Sequence, residues 1–142
     1  MFGKKKQEAV QKTDSMGLGK TLEEITRRYK RREALRFEGK VTTYQELEEN
    51  ANRVASGLAA LGIGKGDRVA MMLPNIPEFA FSFFGIQKLG AVAVPFNTMY
   101  KGREIEFILK DSAARAVICL TNFANLINEI KDKCRDLEHV IV

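Results

Sequence analysis

The sequence lacks a long apolar run. Its longest apolar stretches, residues 79–84 and 91–96, are broken or bounded by Ser82, Gly90 and Pro95. A transmembrane helix needs about 20 consecutive apolar residues, so we expect none here. Residues 1–8 include three lysines but are not followed by an apolar segment, so we expect no secretory signal. We also expect no myristoylation, because Phe2 stands in place of glycine.

Cysteine and histidine are scarce. The two cysteines, Cys119 and Cys134, lie in apolar patterns without metal-ligand spacing. This favours buried reduced thiols over a disulfide or a zinc site, and it suits a cytoplasmic location. The single histidine, His139, has apolar neighbours and no nucleophile or metal ligand beside it in the sequence, so we expect no catalytic role for it.

Most of the positive charge is at the start of the chain. Apolar residues at 45% and charged residues at 29% are typical of a globular domain, and 142 residues suffice for one. Residues 1–40 contain twelve basic and six acidic residues. Because aromatic residues are sparse there, no nucleic-acid partner is expected, and a solvated helix face is the favoured interpretation. A weak contact with an anionic membrane surface is left open.

The first part of the chain predicts a leader, a short helix and a hairpin. Residues 1–19 are polar and predict a flexible basic leader. A short amphipathic helix is predicted from Leu22, with Thr21 and Glu24 in capping-box spacing. Residues 34–37 and 40–43 flank a tight turn and predict a β-hairpin.

Two patterns then predict a long helix and an alternating fold. Thr43 and Glu46 form a second capping-box pattern, and apolar residues recur at helical spacing until Gly62. From Asp67 onward, predicted strands at 67–73, 91–96, 115–120 and 139–142 alternate with three helices. Asn75 and Asn122 are predicted caps of the first and third of these helices, with Pro77 in the first turn of the first.

This alternation predicts an α/β fold with a mostly parallel sheet, preceded by the short helix and the hairpin. Residues 20–142 are together expected to form one α/β subdomain. The sequence stops inside the last apolar run, so we expect the fold to continue in a longer polypeptide.

Three glycine-rich stretches could suggest nucleotide binding. Residues 13–21 end in Gly-Lys-Thr like a phosphate-binding loop, but no apolar strand precedes them and Asp14 replaces the expected first glycine. Residues 62–66 follow a helix and precede a strand, the reverse of the order that a dinucleotide loop needs, and predict a helix stop. Gly85 and Gly90 predict close helix packing and a helix end.

Other candidate residues have structural explanations. Glu46, Glu78 and Asp67 are expected to serve helix caps and turns, and Glu48 and Glu49 to lie on a polar helix face. Four phenylalanines could line an acyl pocket, although their helical spacing favours the core: Phe79, Phe81, Phe83 and Phe84.

Six blocks in order resemble the AMP-forming acyl-CoA synthetases of the adenylate-forming superfamily. The blocks are residues 43–47 (TYQEL), 51–55 (ANRVA), 58–63 (LAALGI), 66–70 (GDRVA), 73–79 (LPNIPEF) and a two-part block at 90–97 (GAVAVPFN) and 103–112 (REIEFILKDS). The resemblance covers residues 20–142 and implies part of the large N-terminal domain of that fold. Residues 95–105 are more similar to acyl-CoA ligases than to peptide-synthetase adenylation domains, and a long-chain fatty acid is the implied substrate.

The resemblance implies a reaction whose machinery we expect elsewhere. Such enzymes use ATP and Mg²⁺ to convert a carboxylate to an acyl-adenylate, then transfer the acyl group to coenzyme A. The phosphate loop, the adenine and ribose motifs and the catalytic lysine of the family are expected beyond Val142. No catalytic, cofactor or metal residue is therefore predicted in this chain, and we expect none of these cofactors to bind it alone.

The expected partner is the rest of the polypeptide, with its substrate and carboxy-terminal domains. Surfaces left uncovered predict self-association of the isolated chain. The alternative is a freestanding, non-catalytic α/β binding module with the same fold.

Overall fold

The computed structural model describes residues 17–142, in which five helices and six strands follow one another. In chain order these are α1 (Gly17–Tyr29), β1 (Glu33–Phe37), β2 (Lys40–Thr43), α2 (Tyr44–Ala60), β3 (Arg68–Met72), α3 (Pro77–Lys88), β4 (Val92–Pro95), α4 (Gly102–Asp111), β5 (Ala116–Cys119), α5 (Thr121–Lys131) and β6 (His139–Ile141). None of the helices in this part of the chain is long and apolar enough to cross a membrane.

The predicted α/β fold is confirmed. Strands β3 to β6 form a four-stranded sheet in the order β4-β3-β5-β6, and each neighbouring pair is parallel. Strands β1 and β2 form a separate antiparallel hairpin. Its turn residues, Glu38 and Gly39, both have positive φ, which matches the right-handed twist of a two-residue hairpin.

The sheet is covered on both faces because side chains alternate along each strand. On β3, Val69 and Met71 face α2 and α3, whereas Ala70 and Met72 face α4 and α5. All four are fully buried, as expected for a parallel strand between two helical layers. A third cluster, centred on Leu22, joins α1 and the hairpin to α2 and α3.

The start of α1 corrects the prediction. The helix begins at Gly17, five residues before Leu22, so residues 17–19 belong to the helix; residues 1–16 of the predicted leader lie outside the described residues. The hydroxyl of Thr21 donates to the carbonyl of Gly17 within the helix at 3.0 Å, so Thr21 is not a cap. Gly19 lets this added part of the helix pack closely on α3, because a side chain there would place its Cβ 2.9 Å from the Cα of Lys88.

The cap of α2 is confirmed, whereas both predicted asparagine caps are wrong. The Glu46 amide donates to the Thr43 hydroxyl at 3.3 Å, and the Thr43 amide donates to the Glu46 carboxylate at 2.8 Å. Asn75 lies one residue before the cap position, because the turn after β3 places Ile76 there, and Pro77 opens α3 as predicted. Asn122 lies inside α5, because β5 passes directly into the helix and Leu120 takes the cap position.

Two ion pairs that share Lys88 link the three N-terminal helices. The ammonium of Lys88, on α3, lies 2.8 Å from the Glu23 carboxylate of α1 and 3.3 Å from that of Glu48 on α2. Its side chain is only 7% exposed. Glu48 thus takes part in a helix contact and does not simply face solvent as its pattern predicted.

Candidate functional site

The carboxyl edge of the parallel sheet is where open α/β folds bind ligands, at the point where the chain connections diverge. Here that point lies between β3 and β5, because β4 lies on one side of β3 and β6 lies beyond β5. The residues that follow these strands, 73–75, 96–98 and Leu120, line two cavities.

The first cavity is polar but carries no charged group. It has a volume of about 530 Å³ and is lined by Leu73, Pro74, Asn75, Phe79, Pro95, Phe96, Asn97 and Thr98. The side-chain oxygen of Asn97 already accepts from the amide of Met99 at 2.9 Å, which stabilises the turn after β4. The other polar side chains of the lining are the amide of Asn75 and the hydroxyl of Thr98.

The second cavity, which we call the apolar groove, has a volume of about 500 Å³ and lies between the sheet and the helices α2 and α3. It is lined by Val54, Gly57, Leu58, Leu61, Leu73, Glu78, Phe81, Ser82, Ile118, Cys119, Leu120, Ile141 and Val142. Glu78 is the single charged residue of this lining. At its open end Leu61 is 39% exposed and Val142 is 70% exposed. The sequence could not reveal this groove, because its lining residues come from five separate segments.

The phenylalanines of α3 pack mainly in the core. Phe79 and Phe83 pack against the cluster between α3 and the sheet, and Phe81 and Phe84 against the cluster beneath α1. The rings of Phe83 and Phe84 meet edge to face, with centroids 5.6 Å apart. Phe79 also lines the polar cavity and Phe81 the apolar groove, so two of the four reach a cavity as well as the core.

A cluster of three charged residues lies at the opposite, amino edge of the sheet. The guanidinium of Arg115, just before β5, donates to the Asp67 carboxylate at 2.8 Å, to both Glu138 oxygens at 2.8 Å and to the Gly62 carbonyl at 3.0 Å. Asp67 also accepts from the Gly64 amide at 2.8 Å. Ordered in this way, the three charged groups tie the starts of β3, β5 and β6 together, a link that sequence reasoning missed.

These contacts shift the titration of the cluster. The pKa of the Asp67 carboxyl is lowered, first by the hydrogen bond from the Gly64 amide and then by Arg115. Arg115 lowers the pKa of the Glu138 carboxyl, and the two carboxylates raise the pKa of Arg115. Groups held in their charged forms by structural partners are poor proton donors or acceptors near neutral pH.

The other sequence candidates occupy structural positions. Gly17, Gly19 and Lys20 lie within α1, so the glycine-rich stretch forms no phosphate-binding loop where it is described. Gly62 has the positive φ of a helix end, as predicted. The His139 ring lies 3.1 Å from the Leu61 carbonyl through Nε2, at the amino edge.

Both cysteines are free and buried, which confirms that reading of the sequence. Burial raises the pKa of the Cys119 thiol and of the Cys134 thiol, so both are held in the neutral form. In residues 17–142, no cluster of three metal-ligating side chains could hold a metal ion.

Comparison with known proteins gives the same picture of the fold. The family model described as AMP-binding enzyme matches residues 22–142. The long-chain-fatty-acid–CoA ligase of Escherichia coli O6:H1 is 38% identical over 121 residues, which cover 84% of this chain and 21% of that protein. The chain thus spans about a fifth of the length of this curated relative.

Two solved structures extend the likeness. The N-terminal domain of FACL13 from Mycobacterium tuberculosis has a TM-score of 0.82 at 38% identity, covering 88% of this chain and 33% of that chain. The anthranilate CoA ligase AuaEII, crystallised with anthranoyl-AMP, has a TM-score of 0.83 at 34% identity, covering 89% of this chain and 25% of that one. The chain therefore belongs to the family of AMP-binding enzymes, with the fold found in the N-terminal domains of acyl-CoA synthetases.

Proposed function

We propose that the chain is the N-terminal scaffold portion of an ATP-dependent, AMP-forming acyl-CoA synthetase. The whole enzyme activates a carboxylate as its acyl-adenylate and transfers the acyl group to coenzyme A, with ATP and Mg²⁺ as the family requires. A carboxylate is a poor electrophile, and the mixed anhydride supplies a good leaving group. A long-chain fatty acid is the proposed substrate, supported by the name of the E. coli relative.

The family match and the E. coli relative support the activity, and the carboxyl edge supports the role of a scaffold. ATP and Mg²⁺ bring concentrated charge that must be met by cations, carboxylates or a cradle of backbone amides. The polar cavity offers Asn75, Asn97 and Thr98, and Asn97 is already engaged in its own turn. These residues do not fit a triphosphate or its metal, so we assign no catalytic, cofactor-binding or metal-binding role to any of residues 17–142.

The apolar groove supports the role of a scaffold. Apolar area left in water costs about 25 cal/mol per Å² compared with burial, so a groove of this kind favours a covering partner. We propose that the remaining polypeptide of the enzyme packs there, beside Val142. The relatives are about five times longer than their matched part, which supplies such a partner. The free buried thiols support a cytoplasmic location for the whole protein.

Pyrophosphate release is the test. The 142-residue chain, given ATP, Mg²⁺, a long-chain fatty acid and coenzyme A, should release no more pyrophosphate than a reaction without protein. The same chain extended by its own downstream reading frame should release it in a fatty-acid-dependent manner. Turnover by the chain alone would overturn the scaffold proposal. A natural stop codon directly after residue 142 would favour the freestanding binding module instead.

A further inference from the structure

A strongly basic segment lies at the end of α1 and in the turn that follows it. Residues 27–32 read Arg-Arg-Tyr-Lys-Arg-Arg, five cations in six positions with no acidic residue among them. All six residues are exposed. We call this segment the basic turn.

The backbone of the basic turn is fixed. The amide of Arg32 donates to the Tyr29 carbonyl at 2.8 Å, the amide of Tyr44 donates to the Arg32 carbonyl at 3.0 Å, and the amide of Gln45 donates to the Lys30 carbonyl at 3.1 Å. These bonds attach the turn to the first residues of α2. The cationic side chains therefore extend from an ordered backbone, so a ligand that binds there does not pay the entropic cost of ordering a flexible loop.

The five cations form no ion pair within 4.0 Å in the part of the chain that the structure describes. The neighbouring Glu33 is held by Arg36 at 2.7 Å. The helix dipole of α1 favours Arg27 and Arg28 in its last turn, but the effect fades beyond that turn. The dipole gives no reason for Lys30 and Arg31, and the guanidinium of Arg32 contacts the ring of Tyr29. In the described residues these three cations therefore have no charged partner.

The aromatic residue in the turn distinguishes between two anionic partners. The guanidinium carbon of Arg32 lies 5.4 Å from the centre of the Tyr29 ring, so a cation already covers one ring face on which a nucleic-acid base would stack. Tyrosine beside several cations is also typical of the headgroup level of a membrane, where its ring is partly buried and its hydroxyl stays hydrated. Tyr29 is 45% exposed, which suits such a position.

We propose that the basic turn is a docking site for an anionic phospholipid membrane, holding the protein reversibly at the surface. Each cation near such a surface strengthens binding by about fivefold, so the five together supply a substantial attraction that salt weakens. This contact is separate from adenylate chemistry and needs neither ATP nor fatty acid.

Vesicle co-sedimentation tests the proposal with a matched pair of variants. The patch variant is Arg28→Gln, Lys30→Gln and Arg31→Gln. The control variant removes the same charge from exposed residues elsewhere and is Lys101→Gln, Arg103→Gln and Arg135→Gln. Vesicles of phosphatidylcholine alone are compared with an equal mixture of phosphatidylcholine and phosphatidylglycerol.

The unaltered chain should bind the mixed vesicles and not those of phosphatidylcholine, and its binding should fall steeply as KCl is raised. The patch variant should lose on the order of 100-fold in partitioning, whereas the control variant should change only a few-fold. Thermal unfolding of both variants establishes that they remain folded, and the salt dependence of the unaltered chain tests the proposal without any variant.

Three results would overturn the proposal. The first is equal binding to both kinds of vesicle. The second is equal loss in the two variants, or no loss in the patch variant, which would place the attraction in overall charge or in Lys4, Lys5 and Lys6. The third is displacement from the vesicles by single-stranded RNA at a concentration where dextran sulfate has no effect, which would identify nucleic acid as the preferred partner.

Discussion

Replacing Gly85 by alanine tests the packing of α2 against α3, on which the apolar groove and the sheet cover depend. A Cβ at Gly85 would lie 2.6 Å from Cγ1 and 2.7 Å from Cβ of Val54, and 2.9 Å from the Ala51 carbonyl oxygen. Val54 is β-branched and has one preferred rotamer in a helix, and the carbonyl belongs to the backbone of α2. Neither neighbour can move aside cheaply, so the helices must separate.

The expected loss follows from two opposing effects. Overpacking of a core costs about 1 to 3 kcal/mol, whereas alanine gains up to about 1 kcal/mol over glycine in a helix. With contacts this short we expect the first effect to dominate and the free energy of unfolding to fall by about 2 kcal/mol. For a urea slope of about 2 kcal/mol per molar, the unfolding midpoint falls by about 1 M.

Gly57→Ala is the matched control. Gly57 lies within α2 and nothing would approach a Cβ there within 4 Å, so alanine should raise the free energy of unfolding by about 0.5 to 1 kcal/mol. The two substitutions should therefore shift the urea midpoint in opposite directions. If the two variants had the same urea midpoint, the close approach of α2 and α3 at Gly85 would be contradicted.

Two further predictions concern the cap of α2 and the amino-edge cluster. Thr43→Ala removes the acceptor for the Glu46 amide and should lower the free energy of unfolding by about 1 kcal/mol in urea titration, whereas an unchanged midpoint would contradict the capping box. Arg115→Gln should destabilise the protein at pH 7. Because Arg115 lowers the pKa of Glu138 and of Asp67, its contribution is present above the ordinary carboxyl pKa of about 4 and is lost as pH falls through the lowered values. The difference in urea midpoint between the unaltered chain and Arg115→Gln should shrink from pH 7 to pH 3. A constant difference would contradict the role of Arg115 in holding the two carboxylates charged.

Local patterns were sufficient to predict the fold. The alternating apolar segments gave the order of strands and helices, and the pairing of Thr43 with Glu46 placed the start of α2 correctly. These signals act within a few residues of one another. The fold class and the hairpin follow from them without knowledge of distant contacts.

The errors concern the residues at which three helices begin. Helix α1 includes residues 17–19 ahead of the capping-box pattern, and the close approach of Gly19 to Lys88 is a contact that no local pattern contains. Asn75 and Asn122 are good capping residues, but the exit of each preceding strand fixes where the helix begins.

Local patterns could not predict the amino-edge cluster or the apolar groove, because segments far apart in the sequence form both. Asp67, Arg115 and Glu138 are far apart in sequence, and only the parallel pairing of β3, β5 and β6 brings them together. The groove likewise exists only once α2, α3 and the sheet have assembled.

A chimera tests the scaffold role most directly. Residues 22–142 replace the matching segment of the E. coli ligase, and fatty-acid-dependent pyrophosphate release is measured beside the unaltered enzyme. If this chain supplies framework and no catalytic group, the folded chimera should remain active and keep the acid preference of its host. A folded chimera without activity, or one that takes on a different acid preference, would contradict the account.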